Sequence, residues 1–129
     1  MPDLGMYKKK PRPESVEKLI QCLESSKAVE SIKHVREQVL HIERSWGCPL
    51  VVYMTNIYII GESDVYEIIG EEKKVGAIVT MSAWNGYTSG AKNLCKDEKI
   101  GLFKFRELLG AIYYEGDKFL NYIHPEDRR

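Results

Sequence analysis

The sequence predicts an α/β fold in three layers, with a small, mainly parallel sheet and the element order αα-β-α-β-α-β-α. Two short apolar runs, Leu50-Val51-Val52-Tyr53-Met54 and Ala77-Ile78-Val79-Thr80-Met81, have the length and β-branched content of strands buried on both faces. A third strand is predicted over residues 100–105, alternating at Leu102 and Lys104. Helical patterns of about ten residues separate these runs, and that alternation implies parallel strands joined by right-handed crossovers.

Residues 1–13, with Lys8-Lys9-Lys10 followed by Pro11 and Pro13, read as a flexible polar arm, and residues 14–129 as a single domain. From residue 14 to residue 46 there is neither Gly nor Pro. Val16, Leu19, Ile20 and Leu23 fall on one helical face. The series Val29, Ile32, Val35, Val39, Ile42 and Trp46 continues at three-to-four spacing, which predicts a second helix, or one long kinked helix, ended by Gly47 and Pro49. After the first strand, Ile57 to Ile60 extends it past a kink or forms a short strand of its own. Ser63 or Asp64 is expected to cap a helix through Val65, Ile68 and Ile69. Thr88 is expected to cap the next helix, with Ala91, Leu94 and Cys95 facing inward. The last helix opens at Glu107 and buries Leu108, Leu109 and Ile112.

At 129 residues the chain suits one core. Its apolar fraction of 43% and charged fraction of 29% are those of a globular domain. Nineteen basic residues balance nineteen acidic ones, so no global charge points to nucleic acid or to an anionic membrane, although a local basic patch stays compatible. Cys22, Cys48 and Cys95 form no C-x-x-C pair, and His34, His41 and His124 complete no zinc-site spacing with them. No metal or cofactor is therefore expected, and the thiols read as reduced in a cytoplasmic protein. The N-terminal segment lacks the apolar stretch of a signal peptide, and no run approaches a membrane span.

Ligands in parallel α/β sheets sit beyond the carboxyl ends of the strands. The most unusual stretch of the chain falls there: Ser82-Ala83-Trp84-Asn85-Gly86-Tyr87-Thr88-Ser89-Gly90, with Lys92 one turn into the following helix. Ser82, Trp84, Asn85, Tyr87, Thr88, Ser89 and Lys92 are the candidate ligand-binding residues. They suit a phosphate or carboxylate at the helix N-terminus, or a base stacked on Trp84 or Tyr87. A capped turn whose aromatics close the sheet end is the plainer alternative. Ser89-Gly90-Ala91-Lys92 is formally the S-x-x-K arrangement that lets a lysine activate a serine, without a companion motif. Glu71-Glu72-Lys73 contains E-x-K but falls at the polar end of a helix, where a solvated charge run is expected.

Residues 76–109 resemble the C-terminal half of Mrr-type restriction-endonuclease-like domains. The matching residues are Ile78-Val79-Thr80-Met81-Ser82, then Tyr87-Thr88, Ala91 with Cys95, Ile100-Gly101-Leu102, and Leu108 or Leu109. Ser82 to Thr88 is longer than the usual linker of that family. The family's catalytic strand carries an acidic residue and a Q-x-K or E-x-K lysine. The corresponding strand here, residues 50–55, has Tyr53-Met54-Thr55 instead, so the resemblance implies a non-catalytic or degenerate member. A second resemblance, over residues 36–55 with Asp64, is to the serine-dehydrogenase proteinase group of the ClpP-like fold; that family's nucleophile lies in a region this chain does not contain.

The leading expectation is a non-catalytic binding module for nucleic acid or for a catalytic partner subunit. The alternatives are a small hydrolase or ligand-binding domain using the 82–92 loop, and a self-associating, ClpP-like domain forming a homodimer through exposed edges of a three-stranded sheet. Zero net charge weighs against the first and the missing general base against the second.

Overall fold

The computed structural model describes residues 10–82 and 84–124. Most of the expected arm, residues 1–9, lies outside them. Helix α1 (Pro13–Glu24) opens on Pro13 at a position where a missing N–H leaves no bond unmade. It buries Val16, Leu19 and Leu23 as their spacing predicts.

Residues 29–46 are not helical. They form an antiparallel hairpin of β1 (Val29–Arg36) and β2 (Val39–Arg44), in which Ile32 faces Ile42 and Arg36 faces Val39. The apolar positions at three-to-four spacing are nearly all β-branched, a composition that favours a pleated surface over a helix. Register shifts fall between Val29 and Ser31 and between His34 and Arg36. Each inserts a residue into the strand, so its side-chain alternation slips and imitates a longer period. The turn at Glu37 and Gln38 contains no positive φ, hence none of the Asn-Gly signal of the common tight hairpin turns. Gln38 is fastened to the next strand twice: its carbonyl accepts from Met54 N–H (2.7 Å), and its Nε2 donates to the Met54 carbonyl (2.9 Å).

The remaining elements are β3 (Leu50–Thr55), β4 (Ile59–Ile60), α2 (Glu62–Glu71), β5 (Ala77–Thr80), β6 (Gly86–Tyr87), α3 (Ser89–Asp97), β7 (Gly101–Lys104), α4 (Phe105–Ala111) and α5 (Asp117–Leu120). The main sheet has the order β1-β2-β3-β5-β7. Strands β1, β2 and β3 pair antiparallel, and β3, β5 and β7 pair parallel. The sheet is therefore mixed, and the mainly parallel expectation describes its β3-β5-β7 half. A second, two-stranded parallel pair joins β4 to β6. Neither Ser63 nor Asp64 is the N-cap of α2; Gly61 is, and Asp64 reaches back to accept the Gly61 N–H at 2.9 Å.

Alternate residues of the strands feed two cores, one on each face. Leu50, Val52, Met54, Ala77, Val79 and Phe103 pack with Leu19 and Leu23 of α1 and with Leu108, Phe119 and Leu120. Tyr53, Ile78 and Leu102 pack with Val65 and Ile68 of α2 and with Ala91 and Cys95 of α3. Helices thus cover both faces. β2 covers the β3 edge of the parallel half, which removes one of the two edges on which self-association was expected, and β1 presents mostly exposed residues, Lys33 and Arg36 among them, at the new edge. Among the described residues no helix is long and apolar enough to cross a membrane.

Candidate functional site

The loop that follows β5 is held by the loop that follows β3. Asn56 Oδ1 accepts from Ser82 Oγ (2.6 Å) and from Asn85 Nδ2 (3.0 Å). The Ile57 carbonyl accepts from Thr80 Oγ1 at 3.0 Å. Asn85 N–H donates to the Ser82 carbonyl at 3.0 Å, closing a tight turn that carries Trp84 at its tip. Gly86 N–H then donates to the Tyr58 carbonyl and Thr88 N–H to the Ile60 carbonyl, so the β4–β6 pair clamps the outgoing limb of the loop.

These bonds sort the candidate residues by what they do. Asn85 is buried and serves the turn. Ser82 is half-buried and also serves it. Thr88 caps α3 as expected, its Oγ1 accepting the Ala91 N–H at 3.0 Å, and Ser89 is exposed at the first position of that helix. Tyr87 donates its hydroxyl to Glu107 Oε1 at 2.9 Å, and Glu107, only 1% exposed, also accepts the Lys104 N–H at 2.9 Å. Trp84 is 69% exposed.

Lys92 does not line the loop mouth. Its side chain turns into the protein, 7% exposed; Nζ donates to the Leu102 carbonyl at 2.5 Å and lies 5.3 Å and 4.6 Å from the ring centroids of Tyr87 and Phe103. Burial pulls its pKa down to about 8, against the opposing attraction of Glu107. An amine engaged in this way is not displayed beside Ser89 as a serine-activating base would be. The N-terminus of α3 is not open to an anion either, because the Glu62 carboxylate sits where a side chain at Gly90 would stand.

Positive charge gathers on the other side of Trp84. A cleft of about 530 Å³ lies at the carboxyl ends of β5 and β7, lined by Met81, Ser82 and Trp84 from the loop, Lys104, Phe105 and Arg106 from the junction of β7 with α4, Ser15 and Lys18 from α1, and Arg12 just before it. Four of these residues are cationic and none is acidic. Packing of α1 against α4 brings the two basic pairs to one place. The Lys104 chain also lies beside Gly86. Arg12 is the extended residue that precedes α1, Ser15 and Lys18 stand one turn apart on the helix, and Lys104 and Arg106 straddle a strand end; each group is visible in the sequence, but their meeting across α1 and α4 is not.

A second groove, of about 280 Å³, has the opposite character. Asp64, Glu67 and Glu71 of α2 line it with Tyr53, Thr55, Gln38 and Lys10. Tyr53 donates to Glu71 Oε2 at 2.8 Å, and burial together with that carboxylate raises its pKa. Glu72 pairs with Arg36, so the Glu71-Glu72 run expected to be solvated is engaged on both residues. Among the described residues no group of three or more His, Cys, Asp or Glu side chains is placed to hold a metal ion. Comparison with protein-family models, with curated proteins and with solved structures returns no match for this chain.

Proposed function

We propose that the chain is a nucleic-acid-binding module whose β3 carries no nuclease chemistry. The observation that carries this reading is the cleft at the β5 and β7 ends, with Arg12, Lys18, Lys104 and Arg106 on its walls, no carboxylate among the described residues that line it, and Trp84 on its rim. Phosphate oxygens are the anions that such a row of Lys and Arg neutralises best, and an exposed aromatic offers a face to a base. The net charge of zero does not oppose it, because the carboxylates of α2 gather in a different groove. On this reading the likeness to Mrr-type domains is one of ancestry. Where that family holds its acidic residue and lysine, β3 has Tyr53 and Thr55, and these side chains face α2.

The test is an ionic-strength series. If the cleft contacts up to four phosphates, the affinity for a fluorescently labelled oligonucleotide falls with salt along a log–log slope of about −3. Lys18 and Arg106 are both exposed, so the double variant K18E/R106E is expected to fold and to flatten the slope by about 2. Salt-independent binding, or a double variant that binds like the parent, contradicts the proposal.

A further inference from the structure

We infer that the unit recognised in the cleft is an unpaired nucleotide: its base stacks on Trp84, and its flanking phosphates lie between the Lys104–Arg106 wall and the Arg12–Lys18 wall. This rests on the nucleic-acid reading above and adds to it the strandedness of the ligand. The first support is shape. The cations stand on two walls of a recess of about 530 Å³ rather than on a convex ridge. A recess of that size belongs with small-molecule pockets, and a paired base inside a duplex cannot turn its face to a side chain on the rim of such a recess.

The second support is the placing of Trp84. Its ring is 69% exposed, while the turn beneath it is fastened by the Asn56, Ser82 and Asn85 bonds and by the clamp at Gly86. Ser82 and Asn85, on either side of the exposed indole, are thus already held by hydrogen bonds, which lowers the entropy lost on stacking. Met81 and Phe105 give the recess an apolar floor, and Ser82 adds a hydroxyl. Stacking on an aromatic tolerates any base, so selectivity for single strands over duplex is expected, with little selectivity among sequences.

The experiment compares the full chain with W84A and W84F, using a short oligothymidine, a short oligouridine, the same oligothymidine with its bases removed, and a duplex of equal length. W84A is expected to lose about 5- to 150-fold in affinity for the base-bearing single strands, the range of one lost stacking contact. W84F should keep most of the affinity, and the abasic strand should bind parent and W84A alike. Tight binding of either base-bearing strand supports the inference. Two results overturn it while leaving the nucleic-acid reading intact: duplex bound as tightly as single strand, or W84A and parent indistinguishable on every probe while affinity still falls with salt. Failure of all probes to bind overturns both.

Discussion

Lys92 places an ammonium group among the Tyr87 and Phe103 rings, with the Leu102 carbonyl as its acceptor. Burial lowers its pKa to about 8 from an ordinary value near 10.5, so between those values the unfolded chain binds a proton that the folded chain has released. Stability contributed by this residue therefore rises with pH across that window. Cys95, which burial raises to about 12, works in the opposite direction once its unfolded thiol begins to ionise. The two are separated by comparing the parent with K92M, since Cys95 titrates in both. The parent is expected to gain about 1 kcal/mol relative to K92M between pH 8 and pH 9. Urea unfolding at the two pH values reads this directly, and a constant difference between the proteins would mean that Lys92 is solvated.

At the scale of elements, the loop after β5 depends on the loop after β3 through one amide. Asn56→Ala leaves Ser82 Oγ and the buried Asn85 Nδ2 without their acceptor, and is expected to lower stability by about 1–3 kcal/mol. It should also weaken nucleic-acid binding, because Trp84 stands on that turn. Urea midpoints and binding titrations on the same preparation check both; a variant as stable as the parent would show that the turn holds itself. The parallel half of the fold was legible because continuous apolar runs and a Thr88 cap are local signals. The hairpin β1–β2 was not, because the bulges at Glu30 and Val35 scrambled its alternation and its turn needed no glycine. In the same way the sequence singles out Ser82 and Trp84 of the proposed site, but not Arg12 and Lys18. Their relevance follows from how α1 packs, a contact between segments far apart in the chain. Lys92 was misplaced for a related reason: its spacing on α3 puts it near the loop, and only the inward packing of its chain, with Nζ between the Tyr87 and Phe103 rings, shows where its amine goes.

Across the whole molecule, nineteen positive and nineteen negative residues cancel in sum but not in place. The cleft at the β5 and β7 ends collects cations, and the groove beside α2 collects Asp64, Glu67 and Glu71. Such a separation steers an anionic ligand toward one end of the sheet at low salt and is screened beyond a Debye length of about 10 Å at 0.1 M. The other exposed aromatics among the described residues, Trp46, Tyr58, Tyr66, Tyr113 and Tyr114, line neither groove; Trp46 and Tyr113, with ring centroids 6.2 Å apart, make a useful contrast. Ultraviolet cross-linking of a single strand bearing 5-iodouracil, followed by mass mapping of the adducts, locates the bound base. The account predicts adducts on Trp84 or on the neighbouring residues of the cleft, and adducts confined to Trp46 and Tyr113 would contradict it.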